Sequence, residues 1–280
     1  MLARLRHGPG AAAQREQAPT AHGPPPSRWT LRAIRATLPE LAGYSLSGVW
    51  RVLRRLGLGL RTARVQQFSP DPAYAEKVRR LEACLRAAAA TPEAVVVVFL
   101  DEMGYARWPE PGREWTAVAP APPPIADRAR SSQRLWRLIG GLNAMTGQVD
   151  FRDNYVVGRK QVAAFYRHLD AAYPDAARIY VVQDNWSIHR HDDVLAALAT
   201  LPRIAPVWLP TYAPWLNPIE KLWGWLRADI LTGHRLAGDW AALHDRVDAF
   251  LAQFGAGSPE VLHRVGLRGE GRLAQALHPP

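Results

Sequence analysis

Apolar and polar positions follow two different rhythms along this chain. Between residues 28 and 66 the period is helical. Trp29–Leu38 predicts a helix, Pro39 to Gly43 breaks it, and Ser45 caps a second helix that runs to about Leu56, where Gly57 ends it. At about 100° per residue, Leu46, Val49, Val52, Leu53 and Leu56 fall on one side of this second helix. Ser47, Trp50, Arg51 and Arg54 fall on the other. After Pro70 and Pro72 a further helix is predicted over Ala73–Ala90. From Val95 the rhythm changes. Val95–Leu100 is a continuous apolar run, the mark of a buried strand, and Ile179–Gln183 is another. Leu135–Leu142 and Gln148–Arg152 predict paired strands around the turn Asn143 to Gly147, and Ala205–Leu209 a short strand. Arg159–Ala172, Asp192–Leu201 and Asn217–Leu231 predict helices.

These elements predict an α/β domain over residues 95–255, preceded by a small all-α unit over 28–66 and a helical connector over 67–94. Residues 1–27, rich in Ala, Pro, Gly and Gln without periodicity, predict a disordered segment. Residues 256–280 are read as a C-terminal tail. The longest aliphatic run, Val95–Leu100, is far too short to cross a bilayer, and no apolar leader opens the chain. A single cysteine, Cys84, excludes an internal disulfide and a cysteine-rich zinc site. A cytoplasmic location without membrane association is therefore expected, close to the nucleoid if DNA is the partner.

Charge sharpens this picture. The formal net charge is +10, and residues 1–80 alone hold 14 Lys/Arg against 4 Asp/Glu, so the whole excess lies ahead of the α/β domain. A helix, a turn and a helix with a basic outer face is the pattern of a helix-turn-helix DNA reader. Ser47, Trp50, Arg51, Arg54, Arg55, Arg61 and Arg64 are its candidate contacts with double-stranded DNA. The competing reading is an ordinary amphipathic helix with a solvated basic face.

Two acids follow the two apolar strands: Asp101 after Val95–Leu100 and Asp184 after Ile179–Gln183. In open α/β sheets the crevice beyond the carboxyl ends of strands is where ligands bind. Either aspartate alone reads equally well as a loop cap. Glu220 opens the Asn217–Leu231 helix, off the apolar stripe of Ile219, Leu222, Trp223, Leu226 and Ile230. It suits a cleft, but with Asn217 as N-cap it also suits a capping box.

The residues around these acids resemble the motifs of the Tc-mariner DDE transposases, and most closely their bacterial insertion-sequence branch of the IS630 type. Pro210-Thr211-Tyr212-Ala213-Pro214-Trp215-Leu216-Asn217-Pro218-Ile219-Glu220, with Trp223 beyond, is similar to the segment that carries the family's last carboxylate. Asp184-Asn185 with His189 resembles its second motif, and Asp101-Glu102 its first. Thirty-five residues separate Asp184 from Glu220, close to the family's spacing. The resemblance spans residues 28–250. It implies a ribonuclease-H-like fold in which Asp101, Asp184 and Glu220 hold two Mg²⁺ or Mn²⁺ ions, supported by Glu102, Asn185, His189 and Asn217. It further implies an enzyme that cuts transposon-end DNA and joins it to target DNA, working as a homodimer. A catalytically impaired copy acting as a DNA-binding regulator is the alternative. Full-length relatives carry a further helix-turn-helix ahead of this one, and residues 1–27 do not suit that role. Because consecutive strand residues face opposite ways, Asp101 rather than Glu102 is expected at the ions. Asp150 and Asp153, near a strand end, are the competing carboxylates, and His189 with His191 is a poor zinc pair.

Overall fold

The computed structural model describes residues 29–60, 68–113, 124–128 and 132–277. The chain forms two compact units, divided between Gln66 and Gln67.

In the first unit, α1 (Leu31–Thr37) starts at Thr30, whose side chain accepts from the Ala33 amide. A 3₁₀ turn, Pro39–Leu41, leads to α2 (Leu46–Arg55). Ser45 caps α2 by accepting from the Gly48 amide at 3.1 Å, and Gly57 ends it with φ of +73°, a conformation glycine adopts freely. Val49 and Leu53 pack on Ile34, Leu38 and Leu41. Ser47, Arg51, Arg54 and Arg55 stand exposed on the far side. Trp50 is 53% exposed. It borders an apolar groove with Trp29, Ile34 and Leu53, and the Arg54 guanidinium lies 5.8 Å from its ring centre. Arg61, Arg64 and residues 1–27 lie outside the described residues.

The second unit is a five-stranded mixed sheet between two helical layers. Its strands are β1 (Val95–Ala106), β2 (Leu135–Asn143), β3 (Val149–Asn154), β4 (Arg178–Gln183) and β5 (Ile204–Trp208), in the order β3-β2-β1-β4-β5. The pairs β1–β2 and β2–β3 are antiparallel, while β4 runs parallel to β1 and to β5. The β2–β3 turn is built as its residues predict. The Asn143 side chain accepts from the Met145 and Thr146 amides, and Gly147 takes φ of +71°, with the Ser258 carbonyl 2.3 Å from where a Cβ would stand.

Two cores flank this sheet. On one face, Val97, Phe99, Met103 and Tyr105 of β1 meet α3 (Tyr74–Ala90), α6 (Ile219–Leu226), α7 (Trp240–Ala252), α8 (Pro259–Val265) and α9 (Arg272–Leu277). On the other, Val96, Val98 and Leu100 meet α4 (Arg159–Ala172) and α5 (Asp192–Ala199). This strict alternation is what a central strand buried on both sides requires.

The structure departs from the sequence pattern in four places. First, β1 does not stop at Leu100. Its parallel pairing with β4 ends at Phe99, but its antiparallel pairing with β2 continues to Ala106, so Asp101 stands within the strand. Second, the helix expected over Asn217–Leu231 is α helical only to Leu226 and closes in a π-helical turn, Arg227–Leu231. Third, the tail expected over 256–280 is folded as far as it is described, since α8 and α9 bury Val261, Leu262, Val265 and Leu273. These helices have seven and six residues, too few for periodicity to register. Fourth, α3 is more than a connector, with Val78, Leu81, Leu85 and Ala88 in the main core.

That burial has a direct consequence for truncation. Burying an aliphatic side chain contributes about 1.5–3 kcal/mol, and a domain's net stability is only about 5–15 kcal/mol. A fragment starting at residue 68 is expected to unfold cooperatively on heating. One starting near residue 93, without Val78, Leu81 and Leu85, is expected to aggregate or remain unfolded by circular dichroism and calorimetry.

Candidate active site

Asp101, Asp184 and Glu220 line one cleft of about 580 Å³, together with Asn185, Trp186, Ser187, the loop Leu209–Pro214 and Asn217. Three elements deliver the acids. Asp101 comes from β1, at the edge of its parallel segment. Asp184 follows β4, the strand alongside, and its carboxylate accepts from the Trp186 amide at 2.8 Å. Glu220 lies in the first turn of α6 and faces away from the buried stripe of Ile219, Leu222, Trp223 and Leu226.

The carboxylates feel one another. Burial pushes the Asp101 carboxyl up to about 8, helped by the nearby charges of Glu220, Glu102 and Asp184, while the Trp223 indole donates to Oδ2 at 3.0 Å and opposes the rise. The Glu220 carboxyl is also raised, first by desolvation and then by Asp184, with Arg227 pulling the other way. Acids gathered at this density, on a wall with few cations, suit a hard divalent ion held by carboxylate oxygens.

Glu102 obeys the alternation of the strand. It leaves β1 on the face opposite Asp101 and approaches His189, whose Nε2 lies 3.5 Å from Glu102 Oε1 and 3.7 Å from Asp184 Oδ1. His189 is fully buried and neither ring nitrogen forms a hydrogen bond among the described residues, so it packs behind the acids. Asn185 ties the ends of β4 and β5 together, donating to the Leu209 carbonyl at 2.7 Å and accepting from Arg190 at 2.9 Å. Arg190 in turn lies over Trp208, 4.7 Å from the ring centre.

Asn217 does not cap α6 with its side chain, as its position suggested. The side chain donates to the Leu100 carbonyl at 3.3 Å and anchors the start of the helix to β1, one residue before Asp101. No capping box forms, so Glu220 stays free for the cleft.

The competing acids are engaged elsewhere. Asp150 accepts from the Tyr173 hydroxyl at 2.8 Å and lies 3.5 Å from His168. Asp153 accepts from the Tyr105 hydroxyl at 3.0 Å and pairs with His244 at 2.7 Å. Asp153, His244 and Asp248 place ligand atoms within 4.8 Å of one another and form a second group able to hold a cation. Its histidine already offers a charge partner to both aspartates. His191 accepts from the Asp193 amide through Nδ1 and its Nε2 lies beside Arg159, so it is turned away from any pairing with His189.

One contributor carried no sequence signal. Asp71 lies ahead of α3, far from the three motifs, yet its carboxylate accepts from the Thr211 amide at 2.9 Å and from Lys77 at 2.8 Å. These bonds hold its carboxyl down at about 2, Lys77 contributing most, and pin the cleft loop. Ser69 supports the same loop by donating to the Thr211 carbonyl. Next to Thr211, Tyr212 takes φ of +53°, a strained conformation for this side chain.

Comparison with known proteins agrees with this geometry. The family described as DDE superfamily endonuclease matches residues 96–243, just over half of the chain. An uncharacterized 39 kDa protein of insertion element IS630 from Shigella sonnei is 26% identical over 227 residues. The match covers 78% of this chain and 62% of that protein, so the chain spans about three-fifths of the length of this curated relative. Among solved structures, the Mos1 transposase paired-end complex with left transposon end aligns over 96% of this chain and 84% of that one, at 18% identity and a TM-score of 0.54. The mariner Mos1 paired-end complex with Mg aligns over 95% and 84%, at 18% identity and a TM-score of 0.52. The sheet and its helical layers are thus of the ribonuclease-H-like kind, and the matches bear out the resemblance read from the acidic motifs. The chain belongs to the DDE superfamily endonucleases.

Proposed function

We propose that this chain is a transposase that cleaves transposon-end DNA and joins it to target DNA, with Asp101, Asp184 and Glu220 as ligands of two Mg²⁺ or Mn²⁺ ions. The observation that carries this reading is the convergence of three carboxylates from β1, β4 and α6 on one cleft. Divalent ions bound there would supply Lewis-acid stabilisation of the attacking and leaving oxygens of a phosphodiester. The chain's own residues do the rest. Asp101 and Glu220, raised first by burial and then by neighbouring carboxylates, would give up their protons on binding a cation. Asn185 and Asn217 fix the loop after β4 and the start of α6 relative to β1, which sets the spacing of the acids. Glu102 and His189 fill the space behind Asp184 and keep it from folding inward.

Double-stranded DNA is the partner in this reading. The exposed face of α2, with Ser47, Trp50, Arg51, Arg54 and Arg55, is its proposed contact in the first unit, and the chain works as a homodimer on two transposon ends near the nucleoid. Among the described residues no helix is long and apolar enough to cross a membrane.

Three outcomes test the reading. Asp184→Asn is expected to reduce Mn²⁺-dependent nicking of an inverted-repeat duplex by more than about 100-fold, beyond what loss of a residue supporting a metal ligand costs, with gel-shift affinity unchanged. Nicking near the wild-type rate would remove Asp184 from the site. Wild-type protein that binds ends but never nicks them would favour the regulator instead.

The second outcome follows from Asp101. A carboxyl near 4 in the unfolded chain and about 8 in the folded one binds more protons when folded, so the metal-free protein loses stability as pH rises through that window. Asp101→Asn is expected to raise the melting temperature in chelator at pH 8 and to change it little at pH 4. Mn²⁺ is expected to stabilise wild type at pH 8 and not Asp184→Asn.

The third concerns affinity. Each phosphate contact contributes a slope of about −0.9 to log K against log salt. Arg51→Ala with Arg54→Ala is expected to flatten the slope by one to two such units in a fluorescence-anisotropy titration. An unchanged slope would place DNA on another surface.

A further inference from the structure

Asp101 has a partner across the sheet that carries no side chain. The β1–β2 register sets Gly140 directly opposite it. A Cβ on Gly140 would stand 2.5 Å from Cη2 and 2.9 Å from Cζ2 of Trp223, closer than such atoms approach. The indole therefore occupies the space a side chain at position 140 would need. Trp223 is 2% exposed, and its Nε1–H donates to Asp101 Oδ2 at 3.0 Å. Among the described residues this is the one side-chain hydrogen bond that Asp101 receives.

We propose that Trp223 is the positioning residue of Asp101, and that Gly140 is missing its side chain so that the indole can reach the carboxylate. Trp223 follows Glu220 by three residues on α6, so the two lie within one helical turn. A single rigid helix thus delivers one acid and orients another. A carboxylate on a strand can swing about two side-chain torsions, and one donor to Oδ2 sets its plane and leaves Oδ1 for a cation. Trp223 also fills the core between β2 and α6, but a ring of the same shape without the N–H would fill that volume without a donor. Indole N–H has no acceptor role, so its hydrogen bond favours the ionised acid that a cation needs.

The inference rests on the reading of the cleft as a divalent-ion site, and its test separates the two. The full chain is prepared as wild type, as Gly140→Ala, as Trp223→Phe, and with 3-benzothienylalanine at position 223, which keeps the shape of the indole and lacks the N–H. Mn²⁺ affinity is read by electron paramagnetic resonance without DNA, beside the melting temperature and the Mn²⁺ dependence of nicking. The benzothienyl protein is expected to melt like wild type, to bind Mn²⁺ about 10-fold more weakly, and to regain part of its nicking at high Mn²⁺. Gly140→Ala is expected to weaken Mn²⁺ binding in the same way, because the added methyl displaces the ring. Unchanged Mn²⁺ affinity in a folded benzothienyl protein would overturn the proposal and leave Trp223 as packing alone. Wild type lacking any Mn²⁺ site that Asp184→Asn removes would overturn the cleft reading itself, and the role of Trp223 with it.

Discussion

Along β1, Val97, Phe99, Met103 and Tyr105 enter the core beneath α3, α6 and α7, and Val96, Val98 and Leu100 enter the core beneath α4. A strand buried on both faces cannot slip by one residue without exchanging its two sets of side chains, so its register is fixed by the whole domain. That constraint decides which acid of the Asp101-Glu102 pair meets the cleft. Asp101 continues the row of Val97 and Phe99 and lies under the Trp223 indole. Glu102 continues the row of Val98 and Leu100 and turns toward His189. The β2 register then sets Gly140 opposite Asp101, and the space there admits α6 close to the sheet.

The electrostatics of the two acidic regions differ in kind. Asp150 and Asp153 are partnered within the fold by tyrosine hydroxyls and histidines, although burial still pushes Asp153 up to about 6. Asp101, Asp184 and Glu220 lack comparable compensation. One indole, one backbone amide, the His189 ring 3.7 Å from Asp184 and the more distant Arg227 face three carboxyls. In a metal-free protein such a cluster opposes folding, and it persists because two cores and the anchors at Asn185, Asn217 and Asp71 hold its frame. A site under that kind of strain is built to be relieved by a positively charged ligand.

Much of this was legible in the sequence. The apolar runs Val95–Leu100 and Ile179–Gln183 announced two buried strands, and Ser45 and Gly57 bounded α2 as they do in the fold. The acids could be paired with strand ends because apolar runs that stop at a charge are informative. The same logic misplaced the end of β1. A charge inside a strand reads as a terminus, and only pairing with β2 shows that the strand goes on. The capping alternative for Asn217 stayed open because local rules see only the following amides, whereas its partner, the Leu100 carbonyl, lies 117 residues away. Gly140 and Asp71 left no trace, since each matters only through what another element brings to it. The short helices α8 and α9 fell below the length at which periodicity can be read.

The central claim is that the cleft among Asp101, Asp184 and Glu220, and not the Asp153–His244–Asp248 group, holds the functional ions. The most direct measurement is anomalous diffraction at the manganese edge from crystals of the full chain grown with Mn²⁺ and an inverted-repeat duplex. The account predicts manganese peaks within coordination distance of all three cleft carboxylates. A cleft without manganese in crystals that show it beside Asp153 and His244 would contradict it.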